Sequence, residues 1–105
     1  MKNILKVAKV IRSKNSSPFE LTLDIIFKNR KVYELVKQKK MITTDSIAEL
    51  YKVPKNKVPK VIFFDPAKAV KISMIRPIPS GAPGDTDVYG AQQHAPLLKI
   101  ELELP

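Results

Sequence analysis

The residues best able to do chemistry are concentrated in one stretch near the end of this 105-residue chain. From Pro77 to Pro96 the sequence holds four prolines, all three glycines and the single histidine, but no Lys or Arg. Proline stiffens a loop, glycine allows close approach to the backbone, and the stretch is longer than most connections between elements. We predict a functional loop here, the alternative being a surface arm without chemistry. The polar side chains that it would arrange around a ligand are Ser80, Asp85, Thr86, Asp87, Tyr89, Gln92, Gln93 and His94.

His94 is the natural proton-transfer group of this loop, because imidazole can accept and return a proton near neutral pH. It could also bind a metal, but only Asp85 and Asp87 accompany it, and the chain has no cysteine. Asp-rich turns are common without a bound cation, so we assign no metal site. The glycines at 81 and 84 lack the Gly-Lys-Ser/Thr ending of a phosphate-binding loop.

A second candidate site is the basic and polar run Arg12-Ser13-Lys14-Asn15. Cationic side chains and backbone amides in one turn could hold a carboxylate or a phosphate, although an ordinary solvated turn is the alternative. Glu20 and Asp24 fall on the polar face of an alternating segment. They could do acid–base chemistry if that face lines a cleft, and otherwise they are simply exposed.

The elements that must position these residues can be predicted from hydrophobic spacing. Strict alternation over 19–27 predicts a strand, while 4–12 fits either a short helix or a strand, followed by a turn over 13–18. Asn29 caps a helix that runs through Lys40, and Thr43 or Thr44 caps a second helix that stops at Val53-Pro54. Further strands are predicted over 61–64, around 70–74 and over 98–104, the last half-exposed and suited to a sheet edge. This order predicts about five strands and two helices in a single α+β domain over residues 1–105, with a mixed or antiparallel sheet.

The chain is basic, with a formal net charge of +9, and the charge is unevenly distributed. Residues 1–76 hold 18 Lys and Arg against 6 Asp and Glu, whereas residues 77–105 hold one Lys and four acids. Such asymmetry can indicate nucleic-acid binding. We do not favour it, because the cations are dispersed and are mostly lysine, and the phenylalanines fall in apolar runs.

Composition also excludes several classes of protein. Without cysteine there is no disulfide, thiol nucleophile or Cys-ligated zinc. No apolar run is long enough for a membrane span, and no export signal is evident, so we expect a cytoplasmic protein.

The sequence also carries a resemblance over nearly its whole length. The segments Lys9–Asn15, Pro18–Phe27, Phe63–Pro66 and above all Arg76–Pro96 resemble an uncharacterised family of small proteins encoded beside, or fused to, acyclic terpene utilisation (AtuA-type) proteins. The resemblance implies a ferredoxin-like α+β domain and a role as small subunit of a catabolic protein that handles organic acids or acyl-CoA derivatives. In the related domain the first strand leads into Arg-Ser-Gly-Asp-Lys-Gly; here Arg12 and Ser13 match, but Lys14 and Asn15 depart from it.

From this resemblance we expect an interface site, built with an AtuA-type large subunit from loop 77–96 and turn 12–15. Its reaction would be a non-redox lyase or hydratase step, with no cofactor assigned. The alternatives are a stand-alone module that binds a small anion and, less favoured, a nucleic-acid-binding protein; a homo-oligomer is compatible with each. The proton-transfer residues would be His94, Tyr89 and Asp87, and the ligand-binding residues Arg12, Ser13, Lys14, Asn15, Arg76, Ser80, Gly81, Asp85, Thr86, Gln92 and Gln93.

Overall fold

The computed structural model describes residues 2–17, 19–75 and 94–104. These ranges contain two α-helices, six β-strands and several short 3-10 helices. The strands are β1 (Lys2–Asn3), β2 (Ala8–Ser17), β3 (Glu20–Phe27), β4 (Lys60–Phe64), β5 (Ala69–Ile75) and β6 (Glu101–Leu102), and the helices are α1 (Arg30–Gln38) and α2 (Thr44–Tyr51).

The four longer strands form one antiparallel sheet in the order β2-β3-β5-β4, and β1 pairs with β6 in a separate antiparallel ribbon. Both helices lie in the chain between the β2–β3 hairpin and the β4–β5 hairpin. The predicted class is confirmed: this is a single α+β domain with two helices and antiparallel sheets, consistent with a ferredoxin-like α+β fold.

The sheet has two distinct faces, because side chains alternate along each strand. The inner face carries the core: Leu23 of β3 is fully buried and lies opposite Ile72 of β5, which in turn lies opposite Val61 of β4. The alternation predicted for 19–27 is confirmed, since every second residue of β3 is buried. The outer face carries the intervening residues, among them Asp24 and Lys71.

Helix α1 begins where the sequence predicts. The Asn29 side chain accepts a hydrogen bond from the backbone N–H of Val32 and so caps the helix. The fully buried Tyr33 packs its ring between those of Phe27 and Phe63, at centroid distances of 6.3 and 5.9 Å. Helix α1 therefore lies on the inner face, and its Tyr33 ring contacts both β3 and β4.

Helix α2 is capped by Thr43, one of the two threonines predicted for this role. The Thr43 hydroxyl accepts a hydrogen bond from the Ser46 N–H, and the Ser46 hydroxyl accepts one from the Thr43 N–H. The helix ends at Tyr51, just before the predicted stop, because Lys52 adopts a left-handed conformation with φ of 57°.

Two local predictions were wrong. Residues 13–17, predicted as a turn, continue strand β2, because their pairing with β3 overrides the turn preference of Asn and Ser. The final segment, predicted as a strand over 98–104, is a 3-10 helix over Ala95–Lys99 followed by the two residues of β6. Pro96 suits the first turn of that helix, and the fully buried Leu97 holds the helix against the core.

Candidate functional site

The structure brings together the two segments that the sequence singled out. The Ser13 hydroxyl oxygen of β2 lies 3.5 Å from Nδ1 of His94, the residue that begins the C-terminal described segment. Both side chains are partly buried. A separation of 3.5 Å is at the outer limit of a hydrogen bond, so the pair is close enough to act on one small ligand group without being locked together.

The pairing of β2 with β3 determines the face of the sheet on which Ser13 lies. Ser13 lies opposite Leu23 in the β2–β3 register and therefore shares the inner face with the core. Asn15 lies opposite Leu21 and projects to that same face two residues further along. Ser13 and Asn15 are thus polar side chains on an otherwise apolar face, at the sheet's β2 edge.

Several hydrogen bonds determine the position of the backbone at and after His94. The His94 carbonyl accepts a hydrogen bond of 2.9 Å from the Leu97 N–H, which starts the 3-10 helix. Downstream, the Ile4 N–H donates to the Ile100 carbonyl at 2.9 Å, and Asn3 Nδ2 donates to the Leu98 carbonyl at 3.0 Å. The N-terminal residues therefore anchor the segment after His94 by hydrogen bonds. This anchoring determines where the imidazole lies relative to β2.

The cations predicted for this site lie on the other face of the sheet. Arg12 and Lys14 alternate with Ser13 and Asn15, so they project outward, and the Arg12 guanidinium lies 3.1 Å from a carboxylate oxygen of Asp24. The four consecutive residues predicted as one anion-binding turn are therefore divided between two faces, because the segment is a strand.

Asp24 is an ion-pair partner in this structure. One carboxylate oxygen contacts Arg12, and the other lies 3.5 Å from Lys71 Nζ, buried and without a hydrogen bond among the described residues. The Asp24 carboxylate is therefore already occupied by two cations. Glu20, the other acid predicted on this face, is exposed at the start of β3.

The remaining predicted site residues lie outside the described residues, and so does most of the loop predicted over 77–96. They are Arg76, Ser80, Gly81, Asp85, Thr86, Asp87, Tyr89, Gln92 and Gln93. The described residues that flank this stretch, Ile75 and His94, lie against strands β3 and β2, opposite Glu20 and beside Ser13 respectively.

A polar cluster that was not predicted from the sequence lies where helix α1 meets the β4–β5 connection. The Tyr33 hydroxyl donates a hydrogen bond to a carboxylate oxygen of Asp65, and Lys37 Nζ lies 2.9 Å from that same oxygen. The four-residue spacing of Tyr33 and Lys37, which puts both on one face of α1, was the available signal. Arg30 adds a hydrogen bond of 3.0 Å to the Asp65 backbone carbonyl.

Within this cluster, the pKa of each member is shifted toward the protonation state that maintains the hydrogen bonds. Burial, and then the hydrogen bond to Asp65, raise the pKa of the Tyr33 hydroxyl. The hydrogen bonds from Tyr33 and Lys37 lower the pKa of the Asp65 carboxyl, and the bond to Asp65 raises the pKa of Lys37. A buried tyrosine that resists ionisation is a poor proton donor, so we interpret the cluster as a clamp between α1 and the β4–β5 connection.

Two cavities lie away from the Ser13–His94 pair. One of about 230 Å³ lies between β4, the end of α1 and the start of α2; its lining is Lys37, Lys40, Ile42, Thr43, Thr44, Val61 and Phe63. The other, of about 300 Å³, is lined by Lys39, Met41, Glu101, Leu102 and Glu103. We base the candidate site on the Ser13–His94 geometry, because it unites two separately predicted segments and neither cavity contains a proton-transfer group suited to neutral pH.

Within the described part of the chain, no helix is long and apolar enough to cross a membrane. The same residues contain no group of three or more His, Asp or Glu side chains placed to hold a metal ion.

Fold and site together define a small α+β domain with a serine–histidine contact at one edge of an antiparallel sheet. The chain belongs to the family described as Domain of unknown function (DUF4387), whose model matches residues 4–101 and so includes both Ser13 and His94. Comparison with curated proteins and with solved structures found no match.

Proposed function

We propose that this protein is the small subunit of an AtuA-type catabolic protein and that it contributes the Ser13–His94 pair to a site for an organic acid or acyl-CoA derivative. The observation that carries the proposal is the 3.5 Å approach of Ser13 to His94. It joins the strand segment Lys9–Asn15 to the end of the segment Arg76–Pro96. Both segments resemble AtuA-associated proteins, above all Arg76–Pro96.

The residues of the site suit a lyase or hydratase step. His94 would take a proton from the substrate or from water and return it, while the Ser13 hydroxyl and the Asn15 amide orient a carbonyl or carboxylate oxygen. Neither task requires a redox cofactor. Binding of the substrate's anionic group falls to the loop that contains Arg76 or to the large subunit, because the Arg12 guanidinium faces Asp24.

The proposal is tested by coexpressing the chain with an AtuA-type protein and purifying the complex. Turnover is then assayed with hydroxy acids and with their coenzyme A thioesters. We expect a stable complex, with turnover reduced about a hundredfold by His94→Gln and less severely by Ser13→Ala. The matched control is Ser16→Ala, at an exposed serine of the same strand, which should leave turnover unchanged.

Absence of a complex would contradict the subunit role. Equal turnover in the wild type and the His94→Gln variant would contradict the site. If the isolated chain gains melting temperature with a small carboxylate or with coenzyme A, and loses the gain in His94→Gln, it is a stand-alone binding module instead.

A further inference from the structure

We infer that the β4 edge of the sheet is a docking surface for an extended segment of a partner protein, one with alternating apolar and acidic residues. Strand β4 is the last in the order β2-β3-β5-β4, so a further strand can be added beside it within the described sheet. Such strand addition uses backbone hydrogen bonds for affinity and the alternate side chains for specificity. The inference deepens the proposed subunit role, on which it rests for the identity of the partner.

The two edges of the sheet differ in how well they are protected against pairing. Strand β2, at one edge, has irregular register at both ends and carries exposed charges at Lys9, Arg12 and Lys14. Bulges and charged residues are the usual devices that keep edge strands from pairing. Strand β4 pairs with β5 in continuous register and holds the apolar run Val61–Phe64 after one lysine. Among the described residues, the β4 edge therefore has less of this protection than the β2 edge.

The outer face beside β4 exposes apolar side chains. Ile62 and Phe64 are 49% and 45% exposed. Exposed large apolar residues grouped on one side of a sheet are typical of an interaction surface. A strand added next to β4 would bring its own side chains level with Ile62 and Phe64.

The inner side of β4 offers room for the alternate side chains of the same segment. Val61 and Phe63 are half-buried there and form one wall of the cavity of about 230 Å³. Another wall is formed by Lys37 of α1 and by Lys40, which follows the end of that helix. An inward-facing side chain of an added strand would enter this space.

The charges around β4 favour an acidic partner. Lys60 and Lys71 flank the outer apolar residues, with Lys71 Nζ 5.9 Å from the centre of the Phe64 ring. Asp24 and Asp65 are the nearby acids, and each is already paired with cations, Asp24 with Arg12 and Lys71 and Asp65 with Lys37. A second copy of this chain would bring the same lysines, and nucleic acid cannot supply the backbone of an added strand, so neither is the favoured occupant.

The test measures the binding of two partners to this chain. The first is a fluorescein-labelled peptide of alternating valine and glutamate, with an alternating valine–lysine peptide as its charge control, measured by fluorescence anisotropy. The second is the AtuA-type gene product used above. We expect the acidic peptide to bind with micromolar to millimolar affinity and the basic peptide not to bind, because the lysines around β4 repel it.

The variants locate the binding surface. Ile62→Lys and Lys60→Glu should each weaken binding of the acidic peptide about tenfold or more, and the same variants should weaken the complex with the gene product. Leu5→Lys is the matched control, since Leu5 is 56% exposed and lies outside this surface; it should bind as the wild type does. Circular dichroism verifies that Ile62→Lys is folded. Lys60→Glu changes an exposed side chain and tests the same surface with less risk to folding.

Specific results would overturn the inference. They are no binding of the acidic peptide, equal binding by Ile62→Lys and Leu5→Lys, a wild-type dimer that Ile62→Lys converts to monomer, or displacement of the peptide by single-stranded DNA. Failure of the proposed subunit role would give a different result. The acidic peptide would bind and its binding would depend on Ile62, while the AtuA-type gene product would form no complex.

Discussion

Tyr33 connects the aromatic core to the surface through a single hydroxyl group. Its ring is fully buried between Phe27 and Phe63, and only the hydroxyl reaches Asp65. A buried phenol needs a hydrogen-bond partner, and a carboxylate is a strong one. Lys37 offsets the charge of that carboxylate at 2.9 Å. The cluster thus satisfies each polar group where α1 meets the connection between β4 and β5.

Replacing Tyr33 by Phe should lower the free energy of unfolding by about 1.5 to 3 kcal/mol at pH 7, the usual loss for a hydrogen bond to a charged group. The dependence on alkaline pH should change as well. The pKa of Tyr33 is raised in the folded state, so the folded protein retains a proton that the unfolded chain loses above about pH 10. Stability is therefore fully present below that pH and falls as the pH rises further.

Urea unfolding of the wild type and Tyr33→Phe at pH 7, 9 and 11 measures both effects. Part of the alkaline loss should remain in the variant, because burial also raises the pKa of Tyr51. An identical fall in stability for both proteins between pH 9 and 11 would show that Tyr33 does not couple to folding in this way.

Individual elements decide which residues can act together. In β2 the period of two sends Ser13 and Asn15 to the inner face and Arg12 and Lys14 to the outer face. A turn over the same residues would have allowed all four side chains to converge. The choice between strand and turn therefore decides the composition of the candidate site, although the residue types are unchanged.

The cap of α2 gives a sharp test at this scale. Thr43→Ala removes the hydroxyl that accepts from the Ser46 N–H, which is one half of the reciprocal capping pair. We expect a loss of about 1 kcal/mol in the free energy of unfolding. Thr44→Ala is the matched control: Thr44 is the first helical residue, and its substitution should change stability by no more than about 0.5 kcal/mol. Equal losses for the two variants in urea unfolding would argue against Thr43 as the cap.

In the molecule as a whole, the C-terminal segment closes the fold against the N-terminus. Strand β6 pairs with β1, and the 3-10 helix before it inserts Leu97 into the core at 0% exposure. His94 immediately precedes this helix. The position of the candidate site therefore depends on the packing of residues that are distant from it in the chain.

Leu97→Ala should lower the free energy of unfolding by about 2 to 4 kcal/mol, because it leaves a cavity in the core. Leu98→Ala, at the half-buried neighbour, should cost clearly less. This pair distinguishes the 3-10 helix from the strand predicted by sequence, in which Leu98 would face the core. Urea unfolding provides the measurement, and a larger loss for Leu98→Ala would favour the strand.

Much of the fold could be predicted because it depends on local patterns. The alternation in β3, the Asn29 cap and the Val61–Phe64 strand each follow from residues within one element. The α+β class followed from the order of those elements. The turn over 13–17 and the start of the final strand, at 98–99, were predicted incorrectly, because strand pairing and burial overrode the local preferences of these residues.

The sequence by itself determined which residue types could do chemistry and in which segments they lie, including His94 and Ser13. Only the tertiary structure decided that these two side chains meet, since they are separated by 81 positions in the chain. It also decided that Arg12 and Lys14 face away from them, and that Tyr33, Lys37 and Asp65 form a cluster. The physical reason is that periodicity acts over a few residues, whereas strand register and core packing bring together residues from distant parts of the chain.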